Sequence, residues 1–131
     1  MKQQIIMEKY PINALTIAKS ETTFATVDEI VASLKEKIES HPVAVYIATF
    51  DHYDHTKSLG ENGEISSDIL DAKNIICCFG KQLPKPEMLA VRPRAIGVVE
   101  LEDAFVLSFM DAQNPQAHDA MTSWVKSVAN K

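Results

Sequence analysis

The chain has 131 residues, a hydrophobic content of 46% and a net charge of −5, values typical of one globular domain. We therefore predict a single domain over residues 1–131 and no extended disorder. An acidic chain lacks the basic face that normally binds nucleic acid, so we expect no nucleic-acid partner. The amino-terminal segment has only a short apolar run, unlike a signal peptide, and no run approaches the ~18–20 residues that span a bilayer. We accordingly expect a cytoplasmic protein with no membrane partner.

The first predicted elements are a strand and a helix. Thr and Ile partly alternate over about residues 13–24, which indicates a strand. A helix is predicted over about 27–40, because Thr26 and Glu29 form a capping box at its start and Pro42 prevents its continuation. Its buried stripe recurs at helical spacing and consists of Val27, Ile30, Val31, Leu34 and Ile38.

Two runs that are apolar on both faces predict central strands, one over 43–50 and one over 74–79. The polar segment 51–73 between them contains a turn signal, and we expect one short helical turn at "SSDILDAK". Residues 81–94 contain three prolines and are predicted to form a long connection with one helical turn.

The last predicted elements are a hairpin and a helix. The hairpin strands cover about 95–102 and 104–111, with a turn near Glu102–Asp103. Asn114 is the expected cap of the helix, and Pro115 suits its first position. The inner face of this helix is predicted to comprise Ala117, Met121, Trp124, Val125 and Val128.

These elements follow the order β-α-β-β-β-β-α and predict an α+β fold, in which two helices pack on one face of a single, mostly antiparallel sheet. On the hairpin, the residues predicted to face the helices are Val99, Leu101, Phe105, Leu107 and Phe109. The opposite set is predicted to be Ile96, Val98, Glu100, Val106, Ser108 and Met110. This second surface is still largely apolar, so we expect a symmetric homodimer through the open sheet face.

Four stretches of the chain carry a resemblance to a known family: "TVDEIVASLKEKIES", "FDH" at 50–52, "NIICCFGKQL" at 74–83 and "RPRAIGVVELEDAFVLSFMDA" at 92–112. In this order they resemble the bacterial family labelled domain of unknown function 302. The resemblance covers most of residues 13–112 and implies a fold like that of the TATA-box-binding protein. It also places His52 at the family's Asp-His-like motif. The family has no established activity, so the resemblance implies no mechanism. The chain departs from the family pattern at His55, at its pair of cysteines and in a long final helix with Trp124.

The stretch "DHYDH" at 51–55 contains two Asp-His pairs and is open to three interpretations. His52 and His55 would share one face of a helical turn and could bind a metal, with Cys77, Cys78 or His118 brought in by the fold as a further ligand. An Asp-His pair could instead perform acid–base catalysis. The interpretation we favour is a strand end at which an Asp or a His bonds exposed backbone, because such a pair is chemically unspecific.

Cys77 and Cys78 are the two cysteines of the chain, and they are adjacent. Neighbouring side chains of a strand point to opposite faces, so these two thiols cannot easily form a disulfide with each other. We predict two reduced thiols that act as small apolar core residues. A redox or sulfur-handling role would require an exposed thiol with a lowered pKa.

A local excess of positive charge marks residues 81–94, where Lys81, Lys85, Arg92 and Arg94 face a single acid, Glu87. Such a group of cations either forms a solvated loop or holds a carboxylate or phosphate. The sequence has no Gly-rich phosphate loop, nucleophile elbow or H-E-x-x-H helix, which argues against the common enzyme classes.

The sequence therefore predicts a small non-enzymatic domain that binds a ligand or a partner and uses no cofactor. We expect its ligand to be a small anionic molecule, addressed by His52, Lys81, Arg92 and Arg94. This expectation requires the 51–60 loop, the loop at Gly80 and the 81–94 connection to cluster. The competing hypothesis is a metal- or thiol-dependent protein that uses His52, His55 and Cys77 or Cys78.

Overall fold

A computed structural model describes residues 1–6, 10–112 and 114–129. The strands are β1 (Lys2–Ile6), β2 (Tyr10–Ala18), β3 (Val45–Asp51), β4 (Asp71–Cys78), β5 (Arg94–Glu100) and β6 (Ala104–Met110). The helices are α1 (Val27–Glu39), α2 (His52–Ser58) and α3 (Pro115–Lys126), with short 3-10 segments at Lys19–Glu21, Gly60–Asn62 and Pro86–Val91. In these parts of the chain, no helix is both long enough and apolar enough to cross a membrane.

The strands form one six-stranded antiparallel sheet in the order β1-β2-β6-β5-β4-β3, with helices packed against it. The predicted α+β class is therefore confirmed. The predicted order lacked β1 and α2. Every residue of β1 is exposed, so no apolar alternation marks it as a strand, and it is stabilised by pairing with β2.

Two local predictions were only partly right. The first predicted strand, 13–24, corresponds to β2, but β2 ends at Ala18 and a 3-10 segment follows it. The turn expected at "SSDILDAK" consists of a single hydrogen bond of 3.1 Å from the N–H of Ile69 to the carbonyl oxygen of Ser66, and residues from Asp71 onward belong to β4. The helix of this polar segment is α2 instead, at the end of β3.

Helix α1 confirms its predicted start and its predicted buried stripe. The Oγ1 atom of Thr26 accepts a hydrogen bond of 3.1 Å from the backbone N–H of Glu29. The Glu29 carboxylate reaches back to the backbone N–H of Ala25 at 2.8 Å, so both side chains satisfy amides at the helix end. All five predicted residues of the stripe are buried in the core.

Helix α3 also begins as predicted, because the Asn114 side chain accepts a hydrogen bond of 3.0 Å from the backbone N–H of Gln116. Its five predicted inner residues are all buried. The core lies between α1 and α3 on one side and the sheet on the other. We call the opposite side of the sheet the open face.

One strand of the predicted hairpin was assigned to the wrong faces. Ile96 and Val98 are completely buried on the face covered by the helices, and Val98 pairs with Leu107. Val99 pairs with Val106 and therefore lies on the open face. The reason is the register: even-numbered residues of β5 pair with odd-numbered residues of β6, and a shift of one residue turns every side chain to the other face.

Candidate functional site

A groove of about 540 Å³ lies beside the connection between β4 and β5. β4 ends at Cys78, Phe79 turns into the core, and the chain then leaves the sheet at Gly80 before it returns as β5. The groove, which we call the Arg92 groove, is lined by Ile47, Cys78, Gly80, Lys81, Gln82, Leu83, Leu89, Arg92 and Pro93. It therefore combines an apolar lining with two of the predicted ligand-binding residues, Lys81 and Arg92.

The guanidinium of Arg92 is held against the backbone at Gly80. Its Nη1 atom donates a hydrogen bond of 2.6 Å to the carbonyl oxygen of Gln82. A Cβ atom at Gly80 would stand 2.6 Å from that same Nη1 atom, closer than two such atoms can approach. Glycine at position 80 thus leaves the space that the guanidinium occupies. Gln82 is the acceptor of the one side-chain hydrogen bond that Arg92 makes within the described chain.

Arg94 does not belong to this groove. It pairs with Cys77 across β4 and β5, and Cys77 is completely buried, so Arg94 lies on the helix-covered side of the sheet. Its Nη2 atom donates hydrogen bonds of 2.5 and 2.8 Å to the carbonyl oxygens of Met110 and Asp111. Burial lowers the pKa of Arg94, opposed by the neighbouring Cys77 and Asp111. Arg94 therefore ties the end of β6 to the start of β5.

The two thiols lie on opposite sides of β4, as predicted. Cys77 is completely buried, and burial raises the pKa of its thiol to about 11. This confirms the prediction of an inert core residue for Cys77. Cys78 is only partly buried and lines the Arg92 groove, where its sulfur accepts a 3.4 Å hydrogen bond from the N–H of Gly80.

The first residue of "DHYDH" caps a helix. Asp51 precedes α2, and its Oδ1 atom accepts a hydrogen bond of 2.9 Å from the backbone N–H of Asp54. That bond lowers the pKa of Asp51; burial opposes it, and Lys73, whose Nζ atom is 3.6 Å away, adds to the lowering. Lys73 also bonds Asp28 of α1. The favoured interpretation of this stretch, a strand end with an Asp on exposed backbone, agrees with this geometry.

The two histidines of the stretch share one aromatic neighbour, Phe50. The ring centroid of His52 lies 4.4 Å from that of Phe50 in an edge-on arrangement, and the ring of His55 lies at 5.4 Å. All three residues are exposed. The imidazoles thus form a small aromatic cluster at the margin of the open face.

The expected clustering of the three loops is not found. β3 runs antiparallel to β4, so that Asp51 at the end of β3 pairs with Lys73, whereas Val45 at its start pairs with Cys78. The loop that contains His52 therefore lies at one end of the sheet, and Gly80 lies at the other. Two consecutive antiparallel strands end at opposite ends of the sheet, so the loops that follow them lie far apart. The sequence-based expectation overlooked this.

The same register separates the two proposed histidine ligands, His52 and His55, from the proposed Cys77 ligand. His52 follows Asp51, which pairs with Lys73, and Cys77 lies four residues further along β4. That separation is roughly 13 Å along the strand. Within the described ranges, no group of three or more His, Cys, Asp or Glu residues could hold a metal ion.

Sequence reasoning missed a second groove, of about 530 Å³, where the carboxyl-terminal ends of α1 and α3 meet. His41 and Trp124 line it, and their rings pack edge to face at 5.8 Å. The Nδ1 atom of His41 accepts hydrogen bonds from the N–H groups of Val43 and Ala44, which gives this imidazole a structural role at the end of α1. A His immediately after a predicted helix and before Pro42 was the available signal.

A polar cluster around Asp111 was also missed. Its carboxylate accepts hydrogen bonds from Gln3 at 2.7 Å and from Asn13 at 2.5 Å. The Nδ1 atom of His118 stands 3.9 Å from the same carboxylate. These groups come from β1, β2, α3 and the segment after β6, so no local pattern in the sequence could have grouped them.

Comparison with protein-family models gives one match that spans nearly the whole chain. Residues 1–130 match the model of a family of unknown function, DUF6858. The narrower resemblance to domain of unknown function 302 is not confirmed, since the matching model is a different one. A comparison with curated proteins finds no match. The chain belongs to the family of unknown function DUF6858.

Proposed function

We propose that this protein is a small non-enzymatic domain that binds an organic acid with an apolar body in the Arg92 groove. The observation that carries the proposal is the position of the Arg92 guanidinium on the wall of an apolar groove, with one hydrogen bond to the protein. A guanidinium has five N–H donors in a planar fork, and that fork matches the two oxygens of a carboxylate. The unused donors supply the recognition of the acid.

The size and lining of the groove support a ligand of this class. A volume of about 540 Å³ is within the range of small-molecule sites in proteins. Leu83 and Leu89 on its rim are 69% and 65% exposed, so they offer apolar surface that a ligand would cover. Lys81 adds a second cation in a chain of net charge −5. Each of these features should increase the affinity of the groove for an acid with an apolar body.

The chemistry of the lining argues for binding rather than catalysis. Among the described residues that line the groove there is neither a carboxylate nor an imidazole to act as a general acid or base. The lining has two nucleophilic side chains, the Cys78 thiol and the Lys81 amine, and it offers neither of them a carboxylate or an imidazole as a base. The proposal is therefore a binding site in which a cation selects the acid and the apolar wall selects its length.

A thermal-denaturation screen tests this function with a series of straight-chain carboxylates from acetate to octanoate. We expect the melting temperature to rise with chain length, because each buried methylene group contributes about 0.8 kcal/mol, or roughly fourfold in affinity. Hexanamide is the matched ligand control: it has the same apolar body without the charge and should stabilise the protein much less.

Variants separate the groove from general surface effects. Arg92→Ala should abolish the stabilisation by hexanoate, and Arg92→Lys should reduce it, because a lysine lacks the planar fork. Lys85→Ala removes a cation from the same connection but outside the groove lining, and should leave the response unchanged. Equal stabilisation of wild type and Arg92→Ala, or no response to any acid of the series, contradicts the proposal.

A further inference from the structure

The open face of the sheet carries no charged side chain on strands β2 to β6. These strands contain five charged residues, and the register places all of them on the face covered by the helices: Asp51, Asp71, Lys73, Arg94 and Glu100. Each of these five residues pairs directly with a fully buried core residue, such as Val98, Cys77 or Phe105, or pairs with a residue that itself pairs with one. Sheets whose faces remain in water normally carry polar or charged side chains there.

Large apolar side chains are exposed on this face of strands β2 to β6. Met110 is 43% exposed, Phe50 is 41% exposed and Val45 is 55% exposed. A strand spacing of about 4.8 Å and a rise of about 3.3 Å per residue give five strands of seven residues a planar area of roughly 550 Å². Accessible surface exceeds planar area, so the face approaches the ~800 Å² per partner of a standard stable interface.

The centre of the open face has groups that suit pairing with an identical surface. One row across strands β2 to β6 consists of Ala14, Ser108, Gly97, Asn74 and Phe50, and Lys2 of β1 continues it at the edge of the sheet. The side chains of Asn74 and Ser108 converge over Gly97, because a Cβ atom there would stand 3.3 Å from Asn74 Oδ1 and 3.4 Å from Ser108 Oγ. In the described chain, neither of these two side chains makes a hydrogen bond.

We propose that a second copy of this chain packs on the open face, with Asn74 close to the two-fold axis of the dimer. An amide side chain carries both donors and acceptors, so two copies of Asn74 can bond each other across such an axis. Because strands β2 to β6 place no charged side chain on this face, and Lys2 lies at its edge on β1, two molecules of net charge −5 can meet over these strands without burying like charges. A lipid surface would leave the Asn74 amide and the Ser108 hydroxyl without partners, which disfavours a membrane as the occupant.

Sedimentation velocity between about 1 and 100 µM protein tests this interface, since that range covers moderate dimer affinities. Wild-type protein should sediment as a dimer at the upper end of the range. Asn74→Asp places two carboxylates near the axis and should weaken the dimer at least about tenfold at pH 7.5. The matched control is Asn62→Asp, the same substitution at an exposed position outside the sheet, which should change the dimer affinity less than about twofold.

Two variants of opposite charge at position 74 test whether the chain associates with itself through this residue. Asn74→Lys should also be monomeric, and an equimolar mixture of Asn74→Asp and Asn74→Lys should recover the dimer. Circular dichroism must show the fold of each variant to be that of the wild type, which an Asn-to-Asp change on an open face permits. The proposal is overturned by a monomeric wild type, by equal dimer affinities of Asn74→Asp and Asn62→Asp, or by a mixture that stays monomeric. Wild-type monomer bound to phosphatidylcholine vesicles would make the face a lipid surface and would also overturn it.

Discussion

The Arg92 guanidinium occupies the space in which a side chain at Gly80 would begin, with Nη1 2.6 Å from the position of a Cβ atom. We expect Gly80→Ala to displace the guanidinium from the groove, because the end of a flexible arginine moves more easily than the backbone. Hexanoate affinity should fall at least about tenfold, whereas the free energy of unfolding should change by less than about 1 kcal/mol. Ligand titration and urea unfolding measure the two effects. Unchanged affinity would show that Arg92 does not bind the acid from its present position.

Removal of Arg94 should lower the free energy of unfolding more than removal of Arg92. Arg94→Ala leaves the carbonyl oxygens of Met110 and Asp111 without their donor, and we expect it to lower the free energy of unfolding by about 2 kcal/mol. Arg92→Ala removes one bond on an exposed connection, so its effect should stay within about 0.5 kcal/mol. Urea unfolding of both variants provides the comparison. Equal losses would contradict the separate roles given to the two arginines.

The two cysteines should react at very different rates. Iodoacetamide at pH 8 should label Cys78 in the native protein, because that thiol is partly exposed at the groove. Cys77 should react only after unfolding, because it is completely buried and its pKa is raised to about 11. Mass spectrometry of tryptic peptides from dilute protein counts the labels. In Cys78→Ala, native labelling should disappear; persistent labelling would place Cys77 in contact with solvent.

The capping residue Asp51 should make stability depend on pH in acid. Its pKa is lowered in the folded state from 3.8, so the charged form contributes stability above that value and loses it as the pH falls through the folded pKa. Asp51→Asn keeps the capping oxygen and should cost less than about 1 kcal/mol at pH 6. That cost should shrink towards pH 3 in urea unfolding. Asp51→Ala also removes the cap and should cost about 1 kcal/mol more. A cost that grows in acid contradicts this assignment.

Two threonines with buried hydroxyl groups should respond in opposite directions to the same substitution. Thr122 Oγ1 is buried, and it has no hydrogen-bond partner in the described residues, so Thr122→Val should raise the free energy of unfolding by about 1 kcal/mol. Thr22 Oγ1 donates a hydrogen bond of 2.7 Å to the carbonyl oxygen of Val128, so Thr22→Val should lower the free energy by about 1–2 kcal/mol. Urea unfolding measures both. The same sign for the two variants would show that hydrogen bonding does not decide the outcome.

Features that depend on neighbours in sequence could be predicted. The capping box of Thr26 and Glu29 and the stripe of α1 involve residues three and four positions apart, and the same holds for Asn114 and the inner face of α3. The alternation of the strand predicted that the two thiols point to opposite faces, but it did not distinguish the buried Cys77 from the partly exposed Cys78.

Features that depend on pairing between distant segments could not be predicted from the sequence. β1 is exposed throughout and exists because β2 pairs with it. The register of β3 on β4 places His52 and Gly80 at opposite ends of the sheet. Arg92 lies in the loop before β5 and lines the groove. Arg94, only two residues later, lies in β5 and faces the helix-covered side of the sheet.

The sequence by itself determined two capped helices, an α+β class and a supply of cations after β4. Only the tertiary structure decided which of those cations reach a groove and which faces of the sheet remain open. The physical reason is that helix formation is set by bonds within four residues, whereas sheet register is set by hydrogen bonds between strands far apart in the chain, where a shift of one residue reverses every face.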